Sequence, residues 1–200
     1  MKKIPTVFKR VFDEKTHKIL EVTPEFTNEE CKNAFYRGAP TIKVDGSCCC
    51  IMSSELYKRF DAKPGRKPPA GAIPCQEAPD EITGHFPHWV KCDPENPSDK
   101  WFFEALKNWK EKFNVIYTGE KPLTLEAYGK HFNGNPYNMD YDTMYMHGDS
   151  IIRDLPRTFN GVKQWIADHQ HCEGIVFWNY GKPVCKIKRS DFGFKWGNKK

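Results

Sequence analysis

Apolar and polar residues alternate along much of the chain, and this alternation is typical of β-strands that bury one face. Residues 4–22 alternate loosely around a turn near 15–17, which predicts a hairpin. The continuous apolar run 48–52 predicts a buried strand, and residues 55–61 are predicted to pair with it in antiparallel fashion. Further strands are predicted at 89–90, 114–117, 123–129, 151–156, 173–178 and 184–188.

Three segments have the capping residues or the apolar spacing of α-helices instead. They span residues 27–36, 99–112 and 158–169. The predicted caps are Thr27 (in a capping box with Glu30), Ser98, and Thr158 or Asn160. The second helix has one apolar face, formed by Trp101, Phe102, Ala105, Leu106, Trp109 and Phe113. We expect these aromatic side chains in the core rather than around a cofactor.

Length and composition favour one ordered domain over residues 1–200, and the 14 Phe, 8 Tyr and 6 Trp supply an ample core. The net charge of +5 fits a polyanionic partner. Basic residues concentrate between 181 and 200, a segment that contains seven of them and one acid, Asp191. They are Lys182, Lys186, Lys188, Arg189, Lys195, Lys199 and Lys200.

The N-terminus has no apolar stretch of a signal peptide, and no apolar run reaches the length of a membrane span, so we expect no membrane association. Eight cysteines are present, and three of them are consecutive at 48–50, where they cannot all pair. We therefore expect reduced thiols and an intracellular, reducing compartment, either cytoplasm or nucleus.

The most informative candidate for a catalytic motif is the tetrapeptide Lys43-Val44-Asp45-Gly46. We expect Lys43 where a strand begins, facing a cleft, with Asp45 on the same face of the extended chain. A lysine amine is a nucleophile only when neutral, and burial or nearby cations favour that form. Asp45 could orient the amine or hold a metal ion, and Gly46 would let a phosphate approach the backbone. A surface strand that carries this tetrapeptide by chance explains it equally well.

Four further charged residues lie on predicted strands. Arg59 is a cation available to a phosphate, and Lys186 and Lys188 project from one face because they are two residues apart. Glu126 occupies the middle of its strand and either faces solvent or accepts the hydroxyls of a ribose. His147 is interpreted as a structural histidine or as a general base.

A zinc site formed by His85, His88, Cys92 and Cys75 is the alternative chemistry that the sequence suggests. The spacing lacks the paired C-x2-C or H-x3–5-H signature of structural zinc. We therefore expect no zinc at these four residues.

Taken in order, five elements resemble the motifs of the lysine-dependent nucleotidyltransferase superfamily of DNA ligases, RNA ligases and mRNA capping enzymes. They are Lys43-Val44-Asp45-Gly46, Arg59, Glu126, Glu173-Gly174-Ile175-Val176 and Lys186-Ile187-Lys188. Patches over most of the chain are similar more specifically to the vertebrate-type ATP-dependent 5′–3′ RNA ligase family. The patches are 40–49, 133–137, 147–148, 153–156 and 173–196.

The resemblance implies an α+β fold: a single nucleotidyltransferase domain of mostly antiparallel sheets flanked by helices, with an ATP cleft between sheets. The chain ends 12 residues after Lys188, so we expect no OB-fold domain, which favours an RNA ligase over a DNA ligase or capping enzyme. One departure is Ile42, where the family has an acid. We therefore expect Ile42 to contact the adenine through its backbone.

The resemblance also implies a reaction and its residues. Lys43 would be adenylated by ATP, and the AMP would pass to an RNA 5′-phosphate, which a 3′-hydroxyl then attacks, as in RNA repair. The implied nucleotide-binding residues are Ile42, Arg59, Glu126, Glu173, Lys186 and Lys188. Asp45 and Glu173 would bind Mg²⁺ or Mn²⁺. We expect a monomer that binds RNA. A GTP-dependent capping guanylyltransferase and an inactive RNA-binding module are the alternatives.

Overall fold

A computed structural model of the chain describes residues 3–16, 18–81 and 83–197. Within these residues the fold is α+β with mostly antiparallel sheets, which confirms the predicted fold class. The strands are β1 Phe8–Phe12, β2 Ile19–Phe26, β3 Ala39–Lys43, β4 Ser47–Met52, β5 Glu55–Ala62, β6 Ile73–Pro74, β7 Phe86–Lys91, β8 Leu123–Gly129, β9 Asp142–Met146, β10 Gly174–Asn179 and β11 Lys182–Lys188. The α-helices are α1 Glu29–Arg37, α2 Lys100–Phe113 and α3 Phe159–Asp168.

The chain divides into two compact units, which are described separately below. Of the described residues, the six-stranded unit contains Lys3 and those within 45–147. The three-stranded unit contains those within 4–44 and 148–197. The proposal of one domain over residues 1–200 stays a prediction.

The six-stranded unit consists of an antiparallel sheet in the order β6-β7-β5-β4-β8-β9, with α2 packed against β9 and β8. Strand alternation explains its core, because Leu125 and Ala127 on β8 are fully buried. The predicted apolar face of α2 faces this core through Ala105 and Trp109, whereas Phe113 at the helix end is 55% exposed. The helix ends at Asn114, which adopts a left-handed conformation.

The three-stranded unit contains the sheet β11-β10-β3 and the separate hairpin β1–β2. The predicted hairpin is confirmed, although its turn residue His17 lies outside the described residues. Its core combines the hairpin, α1, α3 and the sheet. The fully buried residues include Val7, Phe8, Phe35, Val162, Ile166, Ile175, Phe177 and Ile187.

Several predicted boundaries were wrong for identifiable reasons. Lys43 ends β3 rather than beginning a strand, and the next strand begins at Ser47. Residues 114–117 form no strand, and 151–156 contribute only an isolated bridge between Ile151 and Thr41. Short apolar runs of this kind fit a loop that covers a core as well as they fit a strand.

Two of the three predicted helix caps also differ. Asn28, and not Thr27, caps α1, since its side chain accepts a hydrogen bond from the Cys31 N–H. Asp99, and not Ser98, precedes α2, and its buried carboxylate pairs with Lys58 instead of capping the helix. Thr158 caps α3 as predicted.

Candidate active site

Lys43 forms an ion pair with Glu173 within the three-stranded unit. The two residues come together because β3 pairs with β10 and the Glu173 N–H donates to the Lys43 carbonyl at 3.1 Å, directly before β10 begins. The side chains of Lys43 and Glu173 are 22% and 12% exposed. The lysine amine is therefore half-buried beside a carboxylate rather than free in solvent.

Lys186 and Lys188 lie on β11, and the pairing of β11 with β10 brings Lys188 to the same carboxylate. Lys188 pairs with Gly174 in the strand register, and its Nζ atom is 3.7 Å from Glu173 Oε1. Lys186 lies two residues away on the same strand. Burial, followed by the charges of Lys43 and Lys188, lowers the pKa of Lys186 to about 8. Lys43 and Lys188 thus share one carboxylate, and Lys186 adds a third amine nearby.

Gly174 makes this register possible. A Cβ atom built on Gly174 would lie 2.1 Å from the carbonyl oxygen of Ile187 on the facing strand. No side chain fits that gap, so the glycine of the E-G-x-V motif sets how closely β11 approaches β10. That close approach positions Lys188 beside Glu173.

Ile42 is half-buried on β3, opposite Ile175. Its N–H already donates to the Ser150 carbonyl at 3.2 Å. A backbone contact from Ile42 to an adenine would therefore use the Ile42 carbonyl oxygen.

Arg189 does not take part in the basic surface that the sequence predicted near the C-terminus. It is 6% exposed, and its guanidinium donates to the carbonyls of Ile166, His169 and Lys195. Lys199 and Lys200 lie outside the described residues. Arg189 stabilises the C-terminal turn instead of contacting a polyanion.

Asp45 belongs to the six-stranded unit and is anchored there by the turn that follows β8. Asn133 Nδ2 donates to Asp45 Oδ1 at 2.8 Å and to the Gly46 carbonyl at 2.7 Å, and the Asp45 N–H donates to Tyr137 Oη at 2.7 Å. The expectation that Asp45 shares a strand face with Lys43 was wrong in its premise, because β3 ends at Lys43. The sequence offered no indication that residues 133–137 hold Asp45.

Gly46 has a steric role that differs from the predicted one. A Cβ atom at Gly46 would lie 2.2 Å from the Ala127 carbonyl oxygen on β8. The glycine is therefore required for β4 to begin against β8. Access of a phosphate to this backbone stays a prediction.

Arg59 lies on β5, as predicted. Its guanidinium Nη2 atom is 3.7 Å from Asp61 Oδ2, which is also 3.0 Å from His85 Nδ1. Among the described residues, Arg59 Nε is buried and has no hydrogen-bond partner. The side chain is 22% exposed, so a loose contact to Asp61 leaves donor capacity for an anion.

Glu126 faces its neighbours and not bulk solvent, so the solvent-facing interpretation of its strand position was wrong and the ribose contact stays a prediction. Its side chain is 13% exposed, and Glu126 Oε2 is 2.8 Å from His147 Nε2. Cys48 lies directly opposite Glu126 on β4. From the sequence, His147 had two interpretations, and its carboxylate partner was not identified.

The four residues of the alternative zinc site have other surroundings within the described part of the chain. His85 pairs with Asp61, the buried His88 is 2.8 Å from the Phe86 carbonyl through Nδ1, and Cys92 lies in the core of the six-stranded unit. Cys75 lies in the loop after β6.

The carboxylates proposed for Mg²⁺ have suitable chemistry in each unit. Glu173 and Asp45 are oxygen donors of the kind that a hard cation binds. Glu173 contacts Lys43 and Lys188, and Asp45 accepts a hydrogen bond from Asn133. Each carboxylate, taken within its own unit, is therefore a suitable ligand for Mg²⁺ or Mn²⁺.

No helix in the described part of the chain combines the length and the apolar character needed to cross a bilayer.

No protein-family model matches the sequence. Similarity to curated proteins is clear, however. RNA ligase 1 of Pongo abelii is 27% identical over 225 aligned positions, which cover 80% of this chain and 69% of that protein. RNA ligase 1 of Rattus norvegicus is 26% identical with the same coverage, and that of Danio rerio is 26% identical over 79% of this chain and 68% of its own length. Over most of its length the chain is therefore similar to the vertebrate RNA ligase 1 proteins.

Proposed function

We propose that this protein is an ATP-dependent 5′–3′ RNA ligase that acts through a covalent lysine–AMP intermediate. The observation that supports the proposal most is the half-buried Lys43 amine, which contacts Glu173 and shares that carboxylate with Lys188. Its relatives are named RNA ligase 1, which points to RNA as the substrate. The physiological setting we propose is RNA repair.

In the first step, the neutral Lys43 amine attacks the α-phosphorus of ATP, and the bond to the pyrophosphate leaving group breaks. Glu173 orients the amine. The positive charges of Lys186 and Lys188 stabilise the negative charge that develops on the phosphate. Because its pKa is lowered to about 8, Lys186 can also supply a proton near physiological pH.

In the second step, an RNA 5′-phosphate oxygen attacks the lysine-bound AMP and releases the lysine. In the third step, a 3′-hydroxyl attacks the activated 5′-phosphate, a phosphodiester bond forms and AMP leaves. Both steps are phosphoryl transfers, in which positioning and charge stabilisation account for most of the catalysis. Glu173 in one unit and Asp45 in the other are the residues proposed as Mg²⁺ ligands, and bound Mg²⁺ would neutralise phosphate charge. Glu126 would accept ribose hydroxyls and Arg59 would contact a phosphate.

The decisive experiment is incubation of the protein with α-labelled ATP and Mg²⁺, followed by denaturing electrophoresis and intact-mass measurement. We expect a covalent adduct with the mass of one AMP. Lys43→Arg keeps the charge beside Glu173 but removes the nucleophile, so it should form no adduct. Lys182→Ala, an exposed lysine at the start of β11, is the matched control and should behave like the unaltered protein.

Three results would contradict the proposal. Normal labelling of Lys43→Arg would place the nucleophile elsewhere. Labelling by α-labelled GTP in place of ATP would favour a capping guanylyltransferase. Salt-dependent RNA binding without any adduct would favour an inactive RNA-binding module.

The ligation itself is tested with RNA ends of defined chemistry. We expect joining of a 5′-phosphate to a 3′-hydroxyl, and no joining when the 5′-end carries a hydroxyl. An adduct without ligation of any RNA end would support adenylation but contradict the RNA ligase assignment of the reaction.

A further inference from the structure

Three different metal-ligating side chains converge on one face of the sheet in the six-stranded unit. Cys48, Glu126 and His147 each offer one ligand atom, and these atoms lie within 4.8 Å of one another. The strand register explains the convergence. Cys48 on β4 is directly opposite Glu126 on β8, which is directly opposite Tyr145 on β9. His147 lies two residues beyond Tyr145 and so projects to the same side.

The cluster is shielded and only partly satisfied by hydrogen bonds. The side chains of Glu126 and His147 are 13% and 16% exposed, and they contact each other through Glu126 Oε2 and His147 Nε2 at 2.8 Å. Within the described residues, the second ring nitrogen of His147, Nδ1, is buried and has no hydrogen-bond partner. Rotation of the imidazole can therefore present either nitrogen to the cluster without breaking another hydrogen bond.

Cys48 completes the set with a protonated thiol. Burial, followed by the charge of Glu126, raises the pKa of Cys48 to about 12. A divalent ion reverses this balance, since it binds the thiolate and releases the proton. Such an ion would also compensate the negative charge of Glu126 next to the sulfur.

The ligand types select the class of metal. One sulfur, one nitrogen and one carboxylate oxygen suit Zn²⁺ and its close relatives, whereas Mg²⁺ prefers oxygen ligands alone. A tetrahedral ion at ordinary zinc bond lengths holds its ligand atoms about 3.3–3.7 Å apart. The three atoms are already within 4.8 Å, so side-chain rotation by about 1 Å is enough to close the site. Three protein ligands leave a fourth position open.

We propose that Cys48, Glu126 and His147 form a three-ligand site for a zinc-class divalent ion, separate from the Mg²⁺ carboxylates. The second part of the inference rests on the proposed function. Because Glu126 is the residue proposed to accept the ribose hydroxyls, an ion held there occupies its carboxylate and competes with the nucleotide. Zinc would therefore act as an inhibitor that free Mg²⁺ does not relieve.

Metal binding is tested without any activity measurement, by titrating the reduced, metal-free protein with Co²⁺ and recording its absorption. We expect a thiolate-to-cobalt charge-transfer band and d–d bands of tetrahedral intensity, both abolished by Zn²⁺ and unaffected by excess Mg²⁺. The charge-transfer band should vanish in Cys48→Ser, and Co²⁺ affinity should fall at least tenfold in His147→Ala. Cys75→Ser is the matched control, because Cys48 and Cys75 are the two cysteines that are not fully buried.

The spectra can overturn the site. Absence of the charge-transfer band in the unaltered protein, its persistence in Cys48→Ser, or its loss in Cys75→Ser with retention in Cys48→Ser would each do so. Circular dichroism of the variants establishes that each one is folded before its spectrum is interpreted.

The competition is tested separately, by measuring adduct formation at increasing Zn²⁺ in excess Mg²⁺. Each variant is compared with its own zinc-free rate. We expect inhibition that a higher ATP concentration relieves in the unaltered protein, and at least tenfold weaker inhibition in Cys48→Ser. Equal inhibition of both proteins would overturn the competition. If the cobalt spectra are as expected but no adduct forms under any condition, the proposed function and the competition are refuted. The metal site is then still supported by the spectra.

Discussion

Replacement of Lys186 by methionine should stabilise the protein while it destroys adduct formation. The lysine is largely removed from water and lies near Lys43 and Lys188, and these surroundings lower its pKa from its ordinary value of 10.5 to about 8. Methionine has a similar length and no charge, so it removes the cost of placing an ammonium there. The same change removes a cation that we propose to act on the α-phosphate.

The magnitude follows from proton linkage. Because the pKa of Lys186 is lowered in the folded protein, the unfolded chain binds more protons between about pH 8 and 10.5, so stability rises with pH in that window. Below about pH 8 the cost is fully present, and a shift from 10.5 to about 8 corresponds to about 3 kcal/mol at most. At about pH 9.5 roughly half of it remains.

Urea unfolding of Lys186→Met and the unaltered protein at pH 7 and at about pH 9.5 measures both values. We expect the variant to be more stable by about 2–3 kcal/mol at pH 7, with the difference reduced to about half at the higher pH. Lys182→Met, an exposed lysine on the same strand, should change stability by about 0.5 kcal/mol or less at either pH. A Lys186→Met variant that is less stable at pH 7, or whose advantage does not depend on pH, would refute this account of the lysine cluster.

Two further substitutions test the local geometry. Gly174→Ala should destabilise the protein by about 1–3 kcal/mol and lower the adduct yield, because the added Cβ would meet the Ile187 carbonyl at 2.1 Å and displace Lys188. Urea unfolding measures the loss of stability, and labelling measures the adduct yield. An unchanged adduct yield would contradict this account. Asn133→Gly keeps the left-handed conformation at this position but removes two hydrogen bonds, to residues 45 and 46. The variant should therefore lose about 1–2 kcal/mol of unfolding free energy in the same urea assay. An unaltered midpoint would show that this turn does not hold Asp45.

The repeating parts of the fold could be predicted from the sequence because their pattern reports burial directly. The alternation around Leu125 predicted β8, and the spacing of Ala105 and Trp109 predicted the buried face of α2. Local patterns did not determine where each element ends. Strand β3 ends at Lys43. The exposed Phe113 belongs to the last turn of α2, beyond the core that the rest of the helix covers.

The candidate site was predictable in residue type and not in pairing. The sequence identified Lys43, Glu173 and Lys188, and the strand register brings these three together. Partners that arrive from loops or from distant strands carry no periodic signal, and this is why Asn133 as the anchor of Asp45 was missed. Arg189 was counted among the basic residues near the C-terminus, and nothing local shows that it is buried against main-chain carbonyls.

The lysine cluster is itself an argument for function. A fold gains nothing from placing Lys186 out of water beside two other lysines, and an apolar residue at that position on β11 would serve the core better. Glu173 compensates only part of this charge, because Lys43 and Lys188 share its two oxygens. An arrangement that costs stability and concentrates positive charge around one half-buried amine is what binding and attack of a nucleotide phosphate require. The stability gained in Lys186→Met therefore measures the unfolding free energy that the protein loses by keeping a lysine at this position.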